Sequence, residues 1–216
     1  MILFLPFLFI NVESFMPKKY LALGDSYTIG EAVEQNESFP YILVNKLRSD
    51  NINIDDPVII AKTGWTTDEL ESAINSNATN STYDLVTLLT GVNNQYRGRS
   101  ADEFRIEFCR LLARAIAFSG GKPSNVVVLS IPDWGVTPFA EGKDRKKIAC
   151  EIDEFNGIIH SETGKHSANY IDVTGISRLA ENDSSLLAED KLHPSAKMYK
   201  LWVESLYNIV KQILTE

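Results

Sequence analysis

The feature that most constrains the fold is a regular alternation of short apolar runs with longer stretches of helical periodicity. The apolar runs predict five strands, at residues 18–23, 57–61, 83–90, 126–131 and 170–173. Because they are nearly continuous rather than alternating, these runs are typical of strands buried on both faces. Strands that alternate with helices predict a parallel sheet covered by helices on both sides.

Capping residues predict where the intervening helices begin. Ser38, followed by Pro40, predicts a helix that ends near residue 50. Thr66 and Glu69 have the spacing of a capping box and predict a helix that ends near residue 75. The longer amphipathic stretches predict helices at 101–118, from 144 to about 164, and after Ser195. Residues 132–143 are predicted to form a long loop, and residues 174–194 a mostly irregular stretch.

Length and charge limit the class of protein. A chain of 216 residues suits one domain with a sizeable core. The formal net charge of −8 argues against nucleic acid and anionic membranes as partners, since both require a basic face. Cys109 and Cys150 are far apart and favour two thiols over a disulfide. No metal-ligand spacing and no phosphate-binding glycine pattern occurs, so neither a metal nor another cofactor is expected.

The first residues of the chain permit three interpretations. Residues 1–10 are almost wholly apolar but too few to span a bilayer, so stable membrane insertion is not expected. Residues 1–15 could lie upstream of a true start at Met16, which would make the protein cytoplasmic. They could also be a signal or anchor, which would imply export, or a packed native segment. The domain itself is expected over residues 16–216, and the sequence leaves the oligomeric state open.

Reactive side chains follow the predicted strands. Ser26 follows the first strand, Gly64 the second and Asn93 the third, while Asp190 and His193 precede the last helix. Because parallel strands place their carboxyl ends at one edge of a sheet, a single crevice could collect all of them. Together they would supply a nucleophile, a base, a group that orients the base, and oxyanion donors. This set predicts acyl transfer.

Each of these residues has a defined role in that prediction. A serine hydroxyl needs a base to take its proton, and His193 suits that work, oriented by Asp190 three residues earlier. The candidate oxyanion donors are the N–H groups of Ser26 and Gly64 and the side-chain amide of Asn93. Taken singly, each residue is also typical of an ordinary turn or loop. Their conjunction favours a site.

The same residues resemble the sequence blocks of the SGNH hydrolases, also called GDSL-type lipases and esterases. Gly24-Asp25-Ser26 is similar to the first block, Gly64 to the second, Gly91-Val92-Asn93 to the third and Asp190-Lys191-Leu192-His193 to the last. The resemblance covers residues 18–216. It implies a single-domain, flavodoxin-like, three-layer α/β/α sandwich with a five-stranded parallel sheet. It also implies Ser26, His193 and Asp190 as a triad, with Gly64 and Asn93 as oxyanion donors. The third block usually ends in Asp, whereas this chain has Asn94.

Aromatic residues near the predicted crevice suggest what it could accept. Five of them are expected to bind substrate: Tyr27, Trp65, Tyr96, Trp134 and Phe139. An apolar wall with few polar groups predicts a small ester or a short acyl chain. Because aromatic rings also stack on sugars, a carbohydrate O-deacetylase is an alternative. The sequence also leaves a thioesterase and an acyltransferase open. Trp134 and Phe139 could instead only seal the long loop onto the core. A non-catalytic binding domain is the alternative from a different class.

Overall fold

The computed structural model describes residues 16–77 and 81–216. The predicted apolar segment at residues 1–15 lies outside the described residues. Residues 78–80 also lie outside them, within a polar stretch at 77–81 that the sequence predicts to be a connection. In the part that is described, no helix is both long enough and apolar enough to cross a membrane.

The five predicted strands are all present, and they form one parallel sheet. The strands are β1 (Tyr20–Gly24), β2 (Val58–Ala61), β3 (Leu85–Leu89), β4 (Val126–Leu129) and β5 (Asn169–Ile171). Their order in the sheet is β2-β1-β3-β4-β5, with every neighbouring pair parallel. Because β1 and β3 are adjacent, the chain changes direction across the sheet at the carboxyl end of β1. Such a point is where open α/β sheets form ligand crevices.

Eight α-helices flank the sheet in the described ranges. They are α1 (Ser26–Ile29), α2 (Phe39–Ser49), α3 (Thr67–Ser76), α4 (Val92–Tyr96), α5 (Ala101–Phe118), α6 (Arg145–Lys165), α7 (Thr174–Arg178) and α8 (Ala196–Thr215). α2 packs against α8, whereas α5 packs against both α3 and α6. These two groups cover opposite faces of the sheet, and the predicted three-layer α/β/α sandwich is confirmed.

Burial is complete at the centre of the sheet and partial at its edge. Every residue of β1, β3 and β4 is buried, as predicted from their continuous apolar runs. The apolar run at β2 predicts that Val58, Ile59 and Ile60 belong to the core. β2 is an edge strand, however, so Val58 is 45% exposed and the other two are only half-buried. The apolar run alone does not reveal which strand lies at the edge.

The short helices are the elements that the sequence does not predict. Residues 91–94 are predicted as a loop but begin α4, and the stretch predicted as irregular contains α7. α1 follows directly on β1. Helices of four or five residues are too short to show a 3.6-residue period, so only tertiary contacts can specify them.

We expect Gly24→Ala to destabilise the fold strongly. A Cβ atom at this position would lie 2.1 Å from Thr28 Oγ1 and 2.4 Å from the Leu89 carbonyl oxygen of the adjacent strand. Relief requires the strand backbone to move, which should lower the free energy of unfolding by at least about 2 kcal/mol. Urea unfolding followed by circular dichroism measures this.

Gly157→Ala is the matched control for that substitution. Gly157 lies in α6, and a Cβ atom there would meet no described atom within 4 Å beyond its own helix backbone. Alanine at this position should stabilise the helix by roughly 0.5–1 kcal/mol. Equal effects of the two substitutions would contradict the packing described at Gly24.

Candidate active site

Ser26 lies at the carboxyl end of β1, where it is the first residue of α1. The turn is built from local interactions. Asp25 caps α1 by accepting a hydrogen bond from the Tyr27 N–H at 3.0 Å. Gly30 ends the helix with φ of +78°, and its N–H donates to the Ser26 carbonyl. One turn of helix therefore fixes the backbone on which the Ser26 hydroxyl is carried.

Asp25 is fully buried beneath this turn. Its Oδ2 atom has no hydrogen-bond partner among the described residues. Burial raises the pKa of Asp25 to about 7, because removal from water penalises the charged form more than the Tyr27 N–H favours it. A carboxyl group adjacent to Ser26 is therefore held close to its titration point at neutral pH.

His193 lies across the crevice from Ser26 and joins it to Asp190. The His193 Nε2 atom is 3.0 Å from Ser26 Oγ, and His193 Nδ1 is 2.5 Å from Asp190 Oδ2. Lys191 adopts φ of +59°, which tightens the loop. Asp190 Oδ1 then accepts the N–H groups of Leu192 and His193, both at 3.0 Å. The three side chains that the sequence suggests as a triad are thus brought into one hydrogen-bonded chain.

The protonation of Asp190 determines the direction of these hydrogen bonds. Partial burial opposes ionisation, but the hydrogen bonds from the His193 ring and from two backbone N–H groups outweigh it. They hold the pKa of Asp190 below its ordinary value. An ionised carboxylate can only accept, so Nδ1–H of His193 donates to it. In a neutral imidazole, Nε2 then carries no hydrogen and accepts from the Ser26 hydroxyl, the arrangement in which the ring can remove the hydroxyl proton.

The predicted oxyanion donors lie on the same side of the sheet. Ser26 begins a helix, so its N–H has no partner within that helix. Gly64 occupies the turn after β2 with φ of +83°. Asn93 belongs to α4, and its Nδ2 donates to the Trp65 carbonyl at 2.9 Å. An amide nitrogen carries two hydrogens, so this bond leaves Asn93 one further donor. Ser26, Gly64 and Asn93 all line a single crevice.

Asn94 supports the loop that carries Asn93. It is buried, its Oδ1 accepts from the Thr67 N–H at 3.1 Å, and its Nδ2 donates to the Thr67 hydroxyl at 2.6 Å. The same amide lies 3.3 Å from Glu107 Oε2, which also accepts from the Thr67 hydroxyl. Arg99 lies 3.7 Å from that carboxylate. A negative charge beside the loop is therefore supplied by Glu107 of α5, although position 94 is uncharged.

The crevice above Ser26 is small and mostly apolar. It has a volume of about 170 Å³. Besides the donors, His193 and Thr63, six apolar or aromatic residues line it: Tyr27, Val92, Tyr96, Trp134, Phe139 and Leu192. Four of the five predicted aromatic residues thus lie in the crevice. Trp65 is not brought into it. Trp65 instead lines a separate groove beside the edge strand β2, with Ile59 and Tyr83.

The aromatic residues at the mouth form one cluster. The rings of Tyr96 and Trp134 meet edge to face at 5.3 Å, and Phe139 lies 6.0 Å from Trp134. Trp134 is buried, and its Nε1 donates to Gln95. Tyr96 and Phe139 are 50% and 45% exposed. Trp134 therefore packs the loop onto the core and also lines the crevice, while its two neighbours leave ring surface open to a ligand.

Some residues of the crevice are not predicted as site residues. Val92 and Leu192 lie inside the quoted motifs, and their position beside Asn93 and His193 is the signal that could have identified them. In the described ranges, no group of three or more His, Cys, Asp and Glu residues could hold a metal ion. Cys109 and Cys150 are both free thiols.

Comparisons with known proteins identify the family and the fold. A model of the GDSL-like lipase/acylhydrolase family matches residues 22–201. The lipase/acylhydrolase from Enterococcus faecalis is similar with a TM-score of 0.72 and 18% identity, covering 90% of this chain and 96% of its own. The psychrotrophic esterase EstA from Pseudoalteromonas sp. has a TM-score of 0.71 and 16% identity, and the match covers 92% of this chain and 100% of EstA. Axe2, an acetylxylan esterase from Geobacillus stearothermophilus, has a TM-score of 0.70 and 15% identity, and the match covers 89% of this chain and 94% of Axe2. At these identities the likeness shows the fold. The comparison with curated proteins gives no significant match.

We expect Asp25→Asn to change the pH dependence of stability. The carboxyl pKa is about 7 in the folded chain and near 3.8 when unfolded, so the folded chain binds more protons between these values. The free energy of unfolding contributed by this group therefore falls as pH rises from about 4 to 7. Asn cannot ionise. The unfolding temperature of the variant relative to the wild type should thus be higher at pH 8 than at pH 5, by roughly 5 °C.

Thermal unfolding followed by circular dichroism at both pH values measures this difference. Asp55→Asn, an exposed carboxylate replaced in the same way, is the control and should give the same relative temperature at both pH values. Equal relative temperatures for Asp25→Asn at pH 5 and pH 8 would contradict the raised pKa.

Proposed function

The chain belongs to the GDSL-like lipase/acylhydrolase family and is a carboxylic ester hydrolase, and from this premise we propose that Ser26, His193 and Asp190 perform the hydrolysis. The proposed substrates are esters with a small or short-chain acyl group. The proposed reaction proceeds through an acyl-enzyme on Ser26.

Acylation begins with attack by Ser26. Its Oγ forms a bond to the ester carbonyl carbon while His193 Nε2 takes the hydroxyl proton. The electron pair of the carbonyl bond moves onto oxygen and gives a tetrahedral oxyanion. When that pair returns, the carbon–oxygen bond to the alcohol breaks. His193 delivers its proton to the departing oxygen, so a neutral alcohol leaves and the acyl group stays on Ser26.

Deacylation repeats these steps with water. His193 takes a proton from the water as its oxygen attacks the acyl carbon, and the proton then returns to Ser26 Oγ as that bond breaks. Asp190 remains an anion throughout, because its pKa lies below the ordinary value. It orients the ring and stabilises the imidazolium form of His193 at each stage.

Three donors are proposed to stabilise the oxyanion. They are the N–H groups of Ser26 and Gly64 and the second amide hydrogen of Asn93. A negative oxygen in a mostly apolar crevice gains more from fixed donors than it would in water. The donors also require no reorientation when charge develops.

The observation that carries the proposal is the continuous hydrogen-bond chain from Asp190 through His193 to Ser26, opening into a crevice. An arrangement of nucleophile, base and orienting carboxylate explains why buried Ser26 and His193 share a hydrogen bond beside an apolar cavity. The crevice volume of about 170 Å³ supports a short acyl group.

A second candidate function is the removal of acetyl groups from carbohydrate. It is favoured by the exposed faces of Tyr96 and Phe139 at the mouth of the crevice, which suit stacking on a sugar ring. The likeness to an acetylxylan esterase supports the same choice. Release of acetate from acetylated xylan, compared with p-nitrophenyl acetate, separates the two candidates. A preference for xylan that is lost in Phe139→Ala would favour the deacetylase.

We expect Ser26→Ala and His193→Ala each to remove nearly all hydrolysis of p-nitrophenyl acetate, because acyl transfer loses its nucleophile or its base. The loss in kcat should be at least about 10⁴-fold. Ser205→Ala is the control, since that exposed hydroxyl donates to Leu201 in α8, away from the crevice. Each variant should keep the circular dichroism spectrum of the wild type. Wild-type turnover by Ser26→Ala would refute the proposed function.

We expect Asn93→Ala to lower kcat by roughly 10²- to 10³-fold, because one oxyanion donor is lost. Asn125→Ala is the matched control: its Nδ2 also donates to a backbone carbonyl, that of Asp84, at 3.0 Å, but at the opposite end of the sheet. Steady-state kinetics with p-nitrophenyl esters measures both. A loss of only two- or threefold in Asn93→Ala would remove that side chain from the oxyanion site.

A further inference from the structure

Gly64 lies in a tight turn, and its N–H belongs to the central peptide of that turn. The Trp65 N–H donates to the Lys62 carbonyl at 3.2 Å, which closes a four-residue turn. Gly64 is its third residue, and φ of +83° is the value of a type II turn at that position. The central peptide of the turn joins Thr63 to Gly64 and therefore carries the Gly64 N–H.

Turns of this kind have a second form that differs mainly in the orientation of the central peptide. Type I and type II turns are related by a flip of that peptide through about 180°. The flip would point the Gly64 N–H to the opposite side. Glycine has no side chain that favours one form, so the orientation must be fixed from outside the turn.

Contacts from other segments hold this turn on both sides of the central peptide. The Thr63 hydroxyl donates to the Glu31 carboxylate, beyond the end of α1. Arg97 Nη2 donates to the Gly64 carbonyl at 2.6 Å. Next to it, Asn93 Nδ2 donates to the Trp65 carbonyl. The bond from Arg97 holds the Gly64 carbonyl, which belongs to the peptide that directly follows the central one.

Arg97 is in turn held in place. Its Nη1 donates to Glu69 Oε1, and its Nη2 lies 3.3 Å from Glu69 Oε2. The same carboxylate accepts the Thr66 N–H at 2.9 Å at the start of α3. On its other side, the Arg97 N–H donates to the Asn93 carbonyl at 3.0 Å. One side chain therefore links the segment that carries Gly64 to the segment that carries Asn93.

We propose that Arg97 is a positioning residue for ester hydrolysis, which holds the Gly64 peptide in the orientation that donates to the oxyanion. This inference rests on the proposed function, in which Gly64 is a donor. The hydrogen bond from the Thr66 N–H, foremost among the favourable contacts, keeps the pKa of Glu69 below its ordinary value. The link therefore persists across the pH range in which hydrolysis is measured.

The role assigned to Arg97 is indirect. Gly64 and Asn93 both line the crevice. The Arg97 side chain donates to the Gly64 carbonyl, and the Arg97 backbone N–H donates to the Asn93 carbonyl. Loss of the link should therefore weaken binding of the transition state more than binding of the ester. A displaced donor lowers kcat and leaves KM nearly constant.

The test compares four proteins: the wild type, Arg97→Gln, Arg97→Lys and Arg48→Gln. Arg48 is a matched control, because it also donates to a backbone carbonyl, that of Ile54, and pairs with a carboxylate, Asp56, at 2.8 Å. The two arginine side chains are 42% and 44% exposed. kcat and KM for p-nitrophenyl acetate are measured together with the unfolding temperature, and Ser26→Ala is assayed in parallel.

We expect Arg97→Gln to lower kcat by at least about 10-fold with KM within about twofold of the wild type. Arg97→Lys, which keeps one cationic donor, should retain more turnover than Arg97→Gln, and Arg48→Gln should keep wild-type kcat. A kcat within twofold of the wild type in Arg97→Gln would overturn the inference, as would an equal loss in Arg48→Gln or a change confined to KM. If Ser26→Ala is inactive while Arg97→Gln is normal, only the positioning role fails. If Ser26→Ala is active, both the proposed function and the positioning role of Arg97 fail.

Discussion

The hydrogen bond from the Ser26 hydroxyl to His193 Nε2 joins two segments that lie 167 residues apart in the sequence, and the site depends on it. The sheet makes this meeting possible. β1 delivers Ser26 to the carboxyl edge, and α8, which packs on α2, holds the loop of His193 over the same edge. The two sides are also in contact through the ring of Tyr27, which lies 5.7 Å from that of His193. A fold that aligns strand ends therefore brings distant polar residues into one hydrogen-bonded group.

Much of this arrangement is predictable because its causes are local. Continuous apolar runs identify the strands, and a tight loop explains why Asp190 lies beside His193. Other features depend on the order of the strands, which no local pattern encodes. The exposure of Val58 follows from the edge position of β2, and Trp65 lines a groove beside that same edge strand. Short helices such as α4 are not predicted, because four or five residues are too few to show the 3.6-residue repeat of a helix.

The surroundings of the site are built from side chains that fix backbone. Asn94 and Glu107 support the loop of Asn93, and Arg97 with Glu69 supports the turn of Gly64. Such contacts join residues more than ten positions apart, so the sequence alone does not reveal them. They explain how Asn94 can replace the more usual Asp. Asp25 differs from these supporting side chains. It is a buried carboxyl without a described partner at Oδ2, so its ionisation lowers the stability of the fold.

The claim that Ser26 is the nucleophile is tested most directly by covalent labelling. An alkyl fluorophosphonate loses fluoride when a serine oxygen bonds to phosphorus, and the adduct persists because its hydrolysis is slow. Intact-mass measurement followed by peptide mapping locates the adduct. We expect one adduct per chain, on Ser26, with loss of ester hydrolysis in proportion to labelling. An active enzyme that is labelled at another residue, or that loses activity while Ser26 stays unmodified, would contradict it.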